Sequence, residues 1–341
     1  MRVARVDRLT EDAVAVTLDV PGELREAYRH RAGQHVVVLH EHGGEVIRRS
    51  YSICSEEAAP ELRIAIKRIP GGAFSSFATS ELAPGRELQV MVPTGHFTPS
   101  LNRTHRKHYG AVAVGSGITP ILSIAGSVLA AEPGSRVTLL YGNRTRRSTM
   151  LAGEVAGLRA RHGDRVVIRH ALSREAARGC LRGRIDEAML AQVFDVASVQ
   201  EWFMCGPEPL MQQLDGMLTR HGVAQDTIHR ELFLAGDATE LDPDARPDLT
   251  SEVELRLDGS PTRFELHARG RSILDAALEL RPGLPYACSE GVCATCRAQV
   301  LEGEVEMDRC SALDRREREA GYVLTCQAHP VSERLVLDFD A

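Results

Sequence analysis

No apolar run in this chain approaches the ~18 residues that a membrane-spanning helix needs, and Met1-Arg2-Val3-Ala4-Arg5 leads into no signal-peptide core. A membrane span and a secretory leader are therefore not expected, and the expected compartment is the cytoplasm. Excess positive charge is missing as well. The net charge of −6 argues against non-specific binding to nucleic acid. Lysine is almost absent: Lys67 and Lys107 are the only two among 41 basic residues, so arginine fills nearly every cationic role and a lone arginine is no evidence of a phosphate site. There is no internal repeat, and no low-complexity tract apart from one acidic stretch. What remains is 341 residues of ordinary hydrophobic content, enough for two or three domains.

The densest chemistry lies in Cys288-Ser289-Glu290-Gly291-Val292-Cys293-Ala294-Thr295-Cys296. Four residues separate the first two cysteines, two separate the next pair, and 29 lie between Cys296 and Cys326. This spacing matches the plant-type arrangement for a [2Fe–2S] cluster, in which three thiolates share one tight loop and the fourth comes from elsewhere. Gly291 and the small Ala294 suit a loop that curls around inorganic sulfide. The plainer readings are a structural zinc site or a disulfide framework. Zinc sites usually pair one C-x2-C with another or with histidines, and Cys326-Gln327-Ala328-His329 is neither. The other cysteines, Cys54, Cys180, Cys205 and Cys310, are expected as free thiols in a reducing compartment.

The first hundred residues read as strands. Segments 14–18, 35–39, 62–66 and 87–92 are short, rich in β-branched residues and separated by Gly, Pro or charged turns, which predicts an antiparallel barrel. Between them lie Arg48-Arg49-Ser50-Tyr51-Ser52-Ile53 and Lys67-Arg68-Ile69-Pro70-Gly71-Gly72-Ala73-Phe74-Ser75-Ser76. Either piece alone could be an exposed strand or an ordinary loop. Together they supply a cation for a pyrophosphate, an aromatic face, hydroxyls and a glycine-rich anion loop, the equipment for a flavin nucleotide.

From Tyr109 the period changes. Ala111-Val112-Ala113-Val114 reads as a buried parallel strand, and Gly115-Ser116-Gly117-Ile118-Thr119-Pro120 opens a helix expected over 121–131. Strands follow at 137–141, 166–172 and 202–205, each leading towards a helix, which predicts a doubly wound α/β sheet. Cys205-Gly206-Pro207 ends one of those strands, where such sheets hold their ligands.

On these motifs the chain resembles the ferredoxin–NADP reductase superfamily, whose flavin barrel carries an Arg-x-Tyr-Ser strand and a Gly-Gly-x-x-Ser loop. The resemblance implies that Arg49 contacts the pyrophosphate of FAD, Tyr51 lies against the isoalloxazine and Ser52 sits near its N5. Ser50, Lys67, Gly71, Gly72 and Ser75 complete the flavin set, with FMN a lesser alternative. It implies also that Gly115, Gly117, Thr119 and Pro120 frame the nicotinamide together with Cys205, Gly206 and Pro207. Glu231 and Phe233, in Thr227-Ile228-His229-Arg230-Glu231-Leu232-Phe233, then border the flavin. A 2′-phosphate calls for arginine where NAD-selective folds place an acid. Asn143-Arg144 follows the second strand and Ser173-Arg174 the third; the latter resembles the pair that grips the 2′-phosphate in plant-type members. NADPH is thus expected over NADH.

Residues 236–250 break all periodicity. Asp237, Glu240, Asp242, Asp244 and Asp248, with two prolines, make an acidic linker that buries no apolar face. Beyond it, 253–257 and 264–266 alternate as a hairpin and 272–280 reads as a short helix before the cysteine loop, the order of a β-grasp ferredoxin. Met307, Ala312-Leu313 and residues 321–327 resemble the reductases of phenylacetyl-CoA epoxidases and of 3-ketosteroid hydroxylases, with Cys310 where those relatives carry Asn.

The expected domains are therefore a flavin barrel over 1–104, an NADP-binding α/β domain over 105–235, the linker 236–250 and a ferredoxin domain over 251–341. The resemblance implies a reductase that passes electrons from NADPH through FAD and [2Fe–2S] to an oxygenase component, working as a monomer. A diiron epoxidase is the first expectation for that partner and a Rieske-type oxygenase the second. A redox sensor with the same cofactors is the reading from another class, and nothing in the chain resembles an effector domain to serve it.

Overall fold

The computed structural model describes residues 1–233, 246–310, 312–313 and 315–341. They fall into two compact units, 1–233 and 234–341.

The first unit begins with β1 (Arg2–Thr10), β2 (Ala13–Asp19), β3 (His35–His42), β4 (Glu45–Ser52) and β5 (Leu62–Lys67), followed by α1 (Ala73–Ser80) and β6 (Gln89–Val90). These form two three-stranded antiparallel sheets, β1-β2-β5 and β4-β3-β6. Single bridges, Ile53 to Ile64 and Arg2 to Glu87, link the two sheets at both edges without closing them into a continuous hydrogen-bonded barrel. Alternating valines and isoleucines fill the interior, among them Val14, Val16, Val36, Val38 and Ile64. The glycine-rich stretch expected as a loop runs instead into α1, with Gly72 as its N-cap, and Phe74 and Ala78 drop into the barrel core.

The same unit continues with β7 (His108–Val114), α2 (Ile118–Ala131), β8 (Arg136–Asn143), α3 (Ala152–His162), β9 (Val166–Leu172), β10 (Cys180–Arg182), α4 (Glu187–Val193), β11 (Glu201–Gly206), α5 (Glu208–Arg220) and β12 (Ile228–Leu232). All six strands are parallel, in the order β10-β9-β8-β7-β11-β12. The chain winds outward from β7 and then returns to place β11 on its other side, so the switch point of the sheet lies between β7 and β11. Ligands of such sheets bind outside the carboxyl ends of the strands at that point. Helix α2 starts three residues earlier than the position of Pro120 suggested. Its first turn lacks intrahelical N–H partners anyway, so a proline at the third helical position leaves no bond unmade.

The second unit contains β13 (Thr250–Leu257), β14 (Ser260–His267), α6 (Ile273–Leu278), β15 (Arg297–Glu302), β16 (Val305–Met307), α7 (Arg315–Glu319), β17 (Tyr322–Leu324), β18 (Ala328–Pro330) and β19 (Arg334–Asp338). The main sheet runs β14-β13-β19-β15-β17, with β19 parallel to β13 and the other pairs antiparallel. Asp258 and Gly259, both at positive φ, form the two-residue turn of the first hairpin, a geometry matched to strand twist. Ser272 caps α6 by accepting from the Asp275 N–H at 3.2 Å. Of the acidic stretch 236–250, residues up to 245 lie outside the described residues. Arg246 is buried against Asp308 and Glu306, and Thr250 already belongs to β13.

Candidate redox sites

Strand β4 presents its functional residues on alternate faces. Arg49 and Tyr51 share one face, and the Tyr51 ring lies 5.6 Å from Phe74 on α1, tilted by 51°. Burial raises the Tyr51 hydroxyl above the usual tyrosine range, so it stays a neutral phenol. Arg49 is exposed, its guanidinium donating to the Arg48 carbonyl at 2.7 Å. Ser50 Oγ is buried with no hydrogen-bond partner among the described residues, an orphaned polar atom on a strand equipped for a flavin. Ser75 accepts from the Ile69 N–H at 3.1 Å and donates to the Gly72 carbonyl at 3.2 Å, which fixes the turn at Gly71, where φ is +75°. Lys67 pairs with Asp12 at 3.7 Å.

Ser52 connects the barrel to the parallel sheet. Its hydroxyl donates to Glu231 Oε2 at 2.9 Å. In β12 Glu231 lies opposite Cys205 of β11, and burial, partly offset by the Ser52 hydrogen bond, lifts its carboxyl to about 7. Burial and the adjacent Glu231 raise the Cys205 thiol well above its usual range, so it stays protonated. The glycine loop meets this strand end closely. A Cβ on Gly117 would stand 2.3 Å from the Cys205 carbonyl oxygen, so only glycine fits. Thr119 is buried and donates to the Ser116 carbonyl at 3.0 Å, and the Phe233 N–H donates to the Gly206 carbonyl at 3.3 Å. Ser52, Gly117, Cys205 and Glu231 thus form one group at the switch point, with Thr119 and Pro120 in the first turn of α2 beside it.

A second group lies at the ends of β8 and β9. The Ser173 N–H donates to the Asn143 carbonyl at 3.0 Å and the Arg174 N–H to the Arg144 carbonyl at 2.9 Å, which sets the two arginine-bearing loops side by side. Asn143 is buried, whereas Arg144 and Arg174 are exposed. The neighbouring Arg146 is held by its backbone N–H to Glu175 at 2.9 Å and by its guanidinium to the Arg178 carbonyl at 2.7 Å.

In the second unit the four cysteines converge. Cys288 lies within hydrogen-bonding reach of both Cys293 and Cys326, and Cys296 of Cys326. Those neighbouring sulfurs hold the Cys288 thiol well below its usual range. Ser289, Gly291 and Ala294 all adopt positive φ, so the loop turns back on itself and points N–H groups inward; the Glu290 N–H donates to Cys288 Sγ at 3.3 Å. The Thr325 hydroxyl and N–H both donate to the Cys296 carbonyl, tying the Cys326 strand to the loop. Four thiolate donors with inward amides fit an iron–sulfur cluster. Cys310 is not in this set: its sulfur faces Arg318 at 3.9 Å. Two groups escaped the sequence reading: the Thr295 hydroxyl, which donates to Cys293 Sγ at 3.1 Å, and the Gln327 amide, which donates to the Ser289 carbonyl at 3.1 Å. Their only signal was adjacency to a cysteine.

Family models bear on all three parts. An oxidoreductase FAD-binding domain matches residues 1–98, an oxidoreductase NAD-binding domain 111–215, and a 2Fe-2S iron-sulfur cluster binding domain 255–331. The chain is similar to one of the subunits of the 1,2-phenylacetyl-CoA epoxidase of Escherichia coli K12, 40% identical over 347 residues, covering all of this chain and 97% of that one. It is 33% identical over 351 residues to the ferredoxin reductase component of the 3-ketosteroid-9-alpha-monooxygenase of Rhodococcus rhodochrous, covering 99% of this chain and 96% of that one. Among solved structures, phthalate dioxygenase reductase matches with a TM-score of 0.58 and 26% identity, over 99% of this chain and 97% of its own. Among the described residues no helix is long and apolar enough to cross a membrane. With flavin, nicotinamide and cluster domains in this order and full-length relatives of this kind, the chain belongs to the family of FAD-, NAD- and [2Fe–2S]-binding reductase components of multicomponent oxygenases.

Proposed function

We propose that this reductase draws hydride from NADPH in preference to NADH and serves, as a monomer, a diiron oxygenase of the phenylacetyl-CoA epoxidase type. The observation that carries the reading is the hydrogen bond from Ser52 to Glu231 beside Cys205, because it joins the flavin strand to the strand ends at the switch point. The chemistry a bound FAD would supply is hydride acceptance and single-electron release, and Cys288, Cys293, Cys296 and Cys326 would hold the [2Fe–2S] cluster that takes those electrons. The protein's share is positioning. Arg49 and the turn of Gly71, Gly72 and Ser75 hold the pyrophosphate, with Lys67 nearby; Ser50 offers its unpaired hydroxyl, and Tyr51 supplies an apolar face to the isoalloxazine. Ser52 would sit near N5, with Glu231 able to hold a proton near neutrality. Gly115, Gly117, Thr119, Pro120, Cys205, Gly206 and Pro207 shape the nicotinamide slot, and Phe233 closes its edge. Asn143, Arg144, Ser173 and Arg174 take the 2′-phosphate. The partner rests on the 40% identity to the epoxidase protein along the whole chain.

Steady-state kcat/KM for NADPH and NADH with ferricyanide tests the donor, and NADH as the better substrate overturns it. Purification of the oxygenase that this reductase reduces tests the partner. Two non-haem irons without acid-labile sulfide are expected, and a Rieske-type spectrum overturns that part. Size exclusion at micromolar concentration is expected to give one chain.

A further inference from the structure

The face of β4 that carries Tyr51 and Arg49 continues across β3. Val36 lies opposite Tyr51, Val38 opposite Arg49 and His40 opposite Ile47, and opposed residues share a face. At ~3.4 Å per residue, His40 stands roughly 13 Å along the strand from the level of Tyr51, with Arg49 about halfway. The His40 ring is nearly parallel to Phe77 of α1, 4.7 Å away at 23°, and 5.3 Å from Phe74. It is also nearly parallel to His42, 6.4 Å away at 25°, close to two aromatic contact distances of about 3.5 Å. His40 is half-buried and His42 exposed. Burial and the neighbouring His42 hold His40 below the usual histidine range, so its ring is an uncharged π surface at neutral pH.

We propose that His40 is the adenine platform of the flavin site, taking a purine base in the gap towards His42 and thereby selecting FAD over FMN. This rests on the flavin lying at Tyr51 and Arg49. FAD presents a flat ring, a pyrophosphate and a second flat ring; Tyr51, Arg49 and His40 present an aromatic, a cation and an aromatic in the same order. FMN ends at its phosphate and does not reach His40. Phe77 backs the platform and is itself covered by the Arg86 guanidinium, 5.8 Å from its centroid.

The test is titration of the full-length protein, freed of flavin, with FAD and separately with FMN, followed by quenching of flavin fluorescence, with FMN binding reporting the intact barrel. His40→Ala is expected to weaken FAD about tenfold, the loss typical of one base stack, and to leave FMN unchanged; His40→Phe is expected to keep FAD binding. Unchanged FAD affinity in His40→Ala overturns the proposal. A parallel fall for FMN does so too, because His40 then only packs α1 on the barrel. Arg49→Ala separates the underlying reading: it should weaken FAD and FMN alike, and if it weakens neither, the flavin placement itself fails.

Discussion

The proposed cluster loop and the proposed hydride site are built in opposite ways. Three of the four cluster cysteines fall within nine consecutive residues, and the loop's shape comes from its own left-handed residues Ser289, Gly291 and Ala294. The proposed hydride site takes Ser52 and Glu231 from positions 179 apart in sequence and joins them through one hydrogen bond. A locally encoded site tolerates damage elsewhere, because its geometry travels with its segment. A site assembled across a barrel and a sheet depends on both being folded and docked, and its electrostatics, such as the raised carboxyl of Glu231, exist only in the assembled state.

The sharpest way to break this comparison is Cys326→Ser. Exchanging a soft thiolate for an oxygen donor should remove the cluster or shift its potential, while residues 1–233, a compact unit by themselves, keep flavin and nicotinamide chemistry. Reduction of cytochrome c or of the oxygenase is expected to fall at least 100-fold, with NADPH–ferricyanide activity retained; Cys310→Ser should change neither. Loss of both activities in Cys326→Ser would show that the two sites are not independent.

Next in size is Arg49→Ala. Losing one charge-assisted contact to a phosphate, roughly 1.5–3 kcal/mol, should weaken flavin binding about 10- to 100-fold while the cluster absorbance stays. Full flavin occupancy after purification would contradict the placement. The double change Arg144→Ala and Arg174→Ala touches only the nucleotide end and should lower kcat/KM at least tenfold for NADPH but little for NADH. Equal losses for both donors would remove the 2′-phosphate from these loops.

Legibility in the sequence followed the same division. The cysteine spacing and the strand runs at residues 62–66 and 166–172 were readable because each is a local pattern, as were the apolar runs at 111–114, 137–141 and 202–205; the three-residue β10 was too short to read. Strand β1 was not, since its alternation is diluted by four charged side chains on an edge whose burial depends on β2. Helix α1 was hidden because Ala73-Phe74-Ser75-Ser76-Phe77-Ala78-Thr79-Ser80 has weak helix propensity and is held by packing Phe74 and Ala78 into the core of the two sheets. Arg246, inside a stretch read as linker, is buried because Asp308 and Glu306 neutralise it, a pairing with partners some 60 residues away that composition cannot reveal.

A change in stability rather than activity probes the assembled site most directly. In the flavin-free protein, burial lifts the Glu231 carboxyl from the ordinary 4.5 to about 7. Below pH 4.5 the group is protonated whether folded or unfolded, and stability is unaffected. Between about 4.5 and 7 the folded chain retains a proton that the unfolded chain releases, so stability declines as pH rises through this window; above it the full penalty of a buried carboxylate applies. Glutamine does not titrate and can still accept the Ser52 hydrogen bond through its amide oxygen. Glu231→Gln should therefore match the parent near pH 4.5 and exceed it at pH 8 by about 1–3 kcal/mol, or a few degrees in Tm for a unit of this size. Urea or thermal unfolding of the flavin-free protein at the two pH values measures the difference. Identical pH slopes for parent and variant would mean that Glu231 is solvated like a surface carboxylate, and that the barrel and the sheet do not desolvate the site where their strands meet.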